Sequence, residues 1–187
     1  MQTIKSLTFL ALSLSLIISS CKKDDDPVEE PHDDHNHDEE IITTLSLTFT
    51  DSAGVLPNYT AIFKDVDGVG GNEATQFDTI QLSSNSTYLV EIKLLNETES
   101  PAEDITDEVK AEDDEHIFCY TPSGVHVDIE RTDSDGTYEV GLSSKWKTNA
   151  TGSGSVKVVL KHQPNVKDGT CTSGETDIEL DFVTVVN

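Results

Sequence analysis

The chain of 187 residues carries 36 acidic and 12 basic side chains, a formal net charge of -24, and 35% hydrophobic with 6% aromatic residues. That length fits one domain and leaves little room for two. Phosphate recognition needs clustered Lys and Arg, so the charge excludes ordinary nucleic-acid binding and docking through a basic patch on anionic lipid.

Taken in chain order, residues 1 to 20 divide into a short amino end with Lys5, an apolar and hydroxylated run from Leu7 to Ile18, and the small pair Ser19 and Ser20 before Cys21. The run is shorter than the roughly 20 apolar residues that span a bilayer as a helix. It predicts a signal peptide, removed at a lipoprotein cleavage site. Ile18-Ser19-Ser20-Cys21 resembles the bacterial lipobox, in which Cys21 takes the acyl chains and begins the mature protein. Lys22-Lys23-Asp24-Asp25-Asp26 resembles the surface-export signal of Bacteroidota-type lipoproteins. The expected address is the outer membrane, lipid-anchored and facing outward, with periplasmic retention as the alternative.

From Cys21 to Glu40 the chain is rich in Asp, Glu, His and Pro, with Val28 as its one aliphatic side chain, so nothing offsets the entropy of ordering it. We expect a disordered tether able to reach roughly 60 Å from the lipid. Within it, His32, His35 and His37 stand beside Asp38 and Glu39. Imidazole and carboxylate together suit zinc, copper or nickel, and a flexible ligand strand suits capture and hand-over. The competing reading is a solvated acidic spacer.

Residues 41 to 187 read as β. Leu45, Leu47 and Phe49 alternate with Ser46, Thr48 and Thr50, the pattern of a half-buried strand. Similar runs recur at 60–64, 77–82, 87–95, 116–121, 125–130, 138–143, 155–162 and 177–186, with Asp135-Gly136 as a hairpin turn. Short strands between Asp, Gly, Asn and Pro turns predict an immunoglobulin-like antiparallel β-sandwich, since a parallel sheet would need helical crossovers. One inserted helix is expected from Pro101 to about Glu112, capped by Ser100 and Glu103. It lies within a stretch, Glu97 to Glu115, holding ten acids and the single base Lys110, which attracts cations.

Setting Cys21 aside leaves Cys119 and Cys171, an even pair that suggests a disulfide in an exported chain; reduced thiols acting as metal ligands are the alternative. A second metal set would be His116, His126 and His162, one from each of three strands. Parity places His116, Phe118 and Tyr120 on one face and Ile117 and Cys119 on the other, so a core-facing Cys119 would leave His116 in water. The loop Asp65-Val66-Asp67-Gly68-Val69-Gly70-Gly71-Asn72-Glu73 is a weaker candidate for calcium, because it lacks the ligand spacing and flanking helices of an EF-hand; a glycine-rich turn is the better reading. No nucleophile elbow, phosphate loop or His-Glu-x-x-His occurs, so no enzyme is expected. Trp146 could stack on a sugar, although a sandwich's single Trp is more often packed inside.

The segments Asp65 to Asn72, Glu99-Ser100-Pro101-Ala102-Glu103-Asp104-Ile105-Thr106, Asp114-Glu115-His116-Ile117-Phe118, Lys161-His162-Gln163-Pro164 and Gly174-Glu175-Thr176-Asp177 together resemble small Bacteroidota-type surface lipoproteins with a His- and acid-rich tail, loosely labelled "type 1 periplasmic binding fold" proteins. That label implies two α/β lobes, for which residues 41 to 187 are too few and too strand-rich. The resemblance implies a location rather than an activity. By analogy such a protein works beside a TonB-dependent receptor. The leading expectation is a non-enzymatic lipoprotein that binds a transition metal, zinc first, for uptake or buffering; a glycan-binding or adhesion module is the alternative.

Overall fold

The computed structural model describes residues 40 to 68 and 71 to 187. Cys21 and the tail ligands His32, His35, His37, Asp38 and Glu39 lie outside the described residues. Strands β1 (Thr44–Asp51), β2 (Tyr59–Lys64), β3 (Gln76–Phe77), β5 (Thr87–Leu95), β7 (Val127–Arg131) and β8 (Ser143–Thr148) form one sheet in the order β3-β2-β1-β5-β8-β7. Strands β4 (Ile80–Leu82), β6 (His116–Ser123), β9 (Gly152–His162) and β10 (Glu175–Val186) form the other, in the order β4-β10-β9-β6. The fold is thus the β-sandwich that the alternation predicts, with one short helix, α1 (Ile105–Ala111), between β5 and β6.

The period of two builds the core directly. Leu45, Leu47 and Phe49 of β1 stand opposite Leu94, Ile92 and Val90 of β5, and all are buried. Across the sandwich, Val156, Val158 and Leu160 of β9 meet Phe182, Leu180 and Ile178 of β10 in register. Trp146 fills the centre, fully buried, with its ring edge-on to Phe49 at 5.2 Å and to Tyr120 at 5.7 Å. Its indole N–H donates to Ser144 Oγ at 2.9 Å, so burial leaves no polar group unsatisfied there. Trp146 is therefore a core residue, and no sugar can stack on it.

Four elements differ from expectation. The run 77–82 splits between the two sheets as β3 and β4. Asp78 sits at the break, its carboxylate accepting from Ile62 N and Gln76 Nε2, and β4 then pairs parallel to β10. The strand expected at 138–143 begins only at Ser143, because Asp133 draws the chain into a turn, accepting from Gly141 N and Ser143 N. Gly141 there has φ +94, which a side chain would strain. Helix α1 starts later than Pro101, and its N-cap is Asp104, accepting from Thr106 N. Glu103 is unavailable for a capping box, since it exchanges two backbone hydrogen bonds with Asn96.

The fourth difference concerns Cys119. It does pair with Cys171 in a disulfide, but on the outer face of β6 rather than in the core. Phe118 and Tyr120 point inward, and His116 shares their parity. The segment from Gln163 to Ser173 covers the outer face and is held there from several sides. Gln163 Nε2 donates to Thr170 O and Ser173 O, while Lys167 Nζ donates to Asp113 O and to Asp135 Oδ2, each at 2.6 Å.

Candidate metal centre

His116 and His162 are direct cross-strand partners at the end of the β6–β9 ladder. Cross-strand neighbours on one face are the closest side-chain contacts in a sheet. Their rings accordingly stack, 4.6 Å apart at 5°. They lie on the inward face, two rungs beyond Tyr120↔Val158, and both residues are buried. This corrects the expectation of solvent-facing histidines: β6 is covered on both faces, by the core on one side and the disulfide segment on the other. His126 is not with them. It is exposed in the connection to β7, at the opposite end of β6.

The C-terminus of α1 completes the group. Glu112 caps the helix, and its backbone carbonyl accepts from His116 Nδ1 at 3.0 Å. That bond places the proton on Nδ1 and leaves the lone pair on Nε2. Among the described residues Nε2 makes no hydrogen bond. Burial pushes the His116 pKa down, partly opposed by the Glu112 carbonyl, so the neutral ring is the favoured form. Neutral imidazole is the form that ligates metal.

Glu112, His116 and His162 each offer one ligand atom, and these atoms lie within 4.8 Å of one another. A tetrahedral ion with bonds of about 2.0–2.2 Å sets its ligand atoms roughly 3.4 Å apart, so side-chain shifts below about 1 Å close the set. Three further carboxylates stand around it. Asp177 Oδ2 is 3.9 Å from His116 Nε2, and Glu115 Oε2 is 3.5 Å from His162 Nε2. Glu40 is the third; burial, a hydrogen bond with Glu108 and the charges of Glu108, Asp177 and Glu112 raise its pKa to about 7. Burial first, and the neighbouring carboxylates after it, keep this carboxyl protonated near neutrality, and a cation relieves the repulsive part. A cleft of about 290 Å³ opens on His162, lined also by Pro164, Val166, Gly174 and Glu175.

Sequence reasoning grouped His116, His126 and His162 as a second metal set, of which the structure brings together His116 and His162, and it missed Glu112, one acid among ten in its stretch. Its spacing of four residues before His116, at a helix end, was the available signal. The glycine loop from Asp65 closes on itself: Asp67 Oδ2 accepts from Asn72 N and Nδ2, and Gly71 N donates to Gly68 O. These bonds describe a turn. Comparison with family models, with curated proteins and with solved structures finds no match to the chain.

Proposed function

We propose that this chain is an exported, lipid-anchored protein that binds a divalent transition metal, zinc first, and buffers it or assists its uptake without catalysing a reaction. The observation that carries the reading is the buried His116 ring. Its Nδ1 is held by the Glu112 carbonyl, its Nε2 makes no hydrogen bond among the described residues, and a ring nitrogen lies within 4.8 Å of ligand atoms of His162 and Glu112. An unpaired buried nitrogen costs about 1–3 kcal/mol, and coordination removes that cost. A donor set of two imidazoles and carboxylates, with no thiolate, suits zinc and its neighbours in the first transition row. Calcium, which favours all-oxygen sites, is the less suitable ion.

In this reading the tail residues His32, His35, His37, Asp38 and Glu39 collect metal at modest affinity and raise its concentration near the folded site. Cys21 carries the lipid, and the ion passes to or from a TonB-dependent receptor in the same membrane. Calorimetric titration of zinc into the lipid-free chain from Lys22 tests this. We expect a tight site abolished by H116A/H162A, and weaker binding abolished by H32A/H35A/H37A. Absence of tight binding, or tight binding indifferent to H116A/H162A, overturns the folded site.

A further inference from the structure

We propose that Asp177 is the fourth protein ligand, which makes the centre a closed site of two imidazoles and two carboxylates with no coordination position left for substrate. This deepens the reading of Glu112, His116 and His162 as a metal centre and rests on it. Three protein ligands leave a zinc ion open to water, the arrangement of catalytic sites, whereas four close it.

The placement of Asp177 comes from an irregularity in β10. The register against β9 shifts between Thr176 and Ile178, so Asp177 is the extra residue of a β-bulge. By strict alternation Ile178, Leu180 and Phe182 point inward, and residue 177 would face out. The bulge turns it back, as bulges do where a side chain must be re-aimed. Its side chain is 0% exposed, as is that of His116, and its Oδ2 lies 3.9 Å from His116 Nε2. That separation is within about 0.5 Å of a tetrahedral ligand edge.

Glu115 is the rival for the same role, at 3.5 Å from His162 Nε2. It keeps 23% of its side chain exposed and has water as an alternative environment. The Asp177 side chain is wholly removed from water beside an equally buried His116, so of the two carboxylates it is the one set inside the fold. The four ligands then come from four elements: the end of α1, then β6, β9 and β10. An ion so held ties the helix to the sheet, which suits tight retention and argues against activation of a bound water.

The test uses the lipid-free chain from Lys22 in the H32A/H35A/H37A background, so that only the folded site is read. Zinc affinity is measured by competition with a chelating dye, and coordination number by the visible absorption of cobalt(II), which is intense when four-coordinate and weak when six-coordinate. In the parent protein added azide should leave the cobalt bands unchanged, because no coordination position is open. D177N, its fold checked by circular dichroism, should weaken zinc by at least about 10–100-fold and let a water complete the four-coordinate shell, so that azide shifts the bands. E115Q should leave the bands indifferent to azide. An azide response in the parent or in E115Q, or D177N with unchanged affinity and no response, overturns the assignment of Asp177 while leaving the three-residue centre standing. Failure of this background to bind either metal, or binding indifferent to H116A/H162A, overturns both.

Discussion

On the inward face of β6 and β9, the rung Tyr120↔Val158 lies against Trp146, whereas two rungs further along the same strands His116↔His162 lies beside Glu112 and Asp177. The first region is explained by burial and shape alone: aromatic rings meet edge-on, and the one indole N–H finds Ser144. The second spends stability. It withdraws two imidazoles and a carboxylate from water at the margin of the same core, where leucine and valine would pack without penalty. Burial by itself therefore says little about purpose. What separates the two regions is whether the buried polar atoms find hydrogen bonds, and among the described residues His116 Nε2 does not.

The first way to break this contrast is at its apolar end. Trp146→Ala should cost about 3–5 kcal/mol in urea unfolding, the range for deleting a large buried aromatic side chain. A loss below about 1 kcal/mol would mean that the centre of the sandwich collapses around the gap and is not the rigid reference assumed here.

The disulfide comes next. It closes a separation of 52 residues, for which chain entropy gives about 4 kcal/mol. C119S/C171S should approach that loss. Because the covering segment also carries His162 at one end and Asp177 just beyond the other, zinc-induced stabilisation should fall in this variant, whereas in Trp146→Ala it should persist. Equal zinc shifts in the double variant and the wild type would show that the segment does not position the site.

A smaller effect is expected from the pair Lys167 and Asp135, both nearly buried. The hydrogen bond from Lys167 first, then those from Tyr138 N and Thr137 N, hold the Asp135 carboxyl at about 2, below its ordinary 3.8. The folded state then binds fewer protons than the unfolded one between those values. Stabilisation from this pair is complete above about pH 4 and is lost as pH falls through about 2. Asp135→Asn should lower stability at pH 7 by about 2 kcal/mol, the scale of a charge-assisted hydrogen bond, and should flatten the acid limb of the urea midpoint plotted against pH. An unchanged acid limb would place the acid sensitivity elsewhere.

The apolar region was legible in the sequence because alternation at Leu45, Leu47 and Phe49 admits one buried face. The site was legible only in part. Parity correctly grouped His116 with Phe118 and Tyr120, yet both faces of β6 carry apolar side chains, so alternation could not say which one met the core. The answer depended on Cys171 bringing its segment over Cys119, a contact 52 residues away. Ser100, Pro101 and Glu103 gave a sound local capping signal that lost to a longer-range pairing of Glu103 with Asn96. Asp177 was beyond reach for a different reason: a bulge inverts the parity on which any strand reading depends.

The sharpest test of the contrast produces the smallest change in the fold. His116→Leu combined with His162→Leu replaces the polar rung by the apolar kind found one rung inward, where Phe118 faces Leu160. Exchanging buried polar partners for apolar side chains of similar size is often neutral or stabilising. We expect the metal-free protein to gain about 1 kcal/mol, opposite in sign to Trp146→Ala on the same inward layer, while zinc no longer raises the unfolding midpoint. The sign matters more than the size. A loss above about 2 kcal/mol without metal would make the histidines structural members whose hydrogen bonds hold α1 to the sheet. A gain accompanied by loss of the zinc response would instead show that stability is given up at this end of the sandwich for the sake of binding.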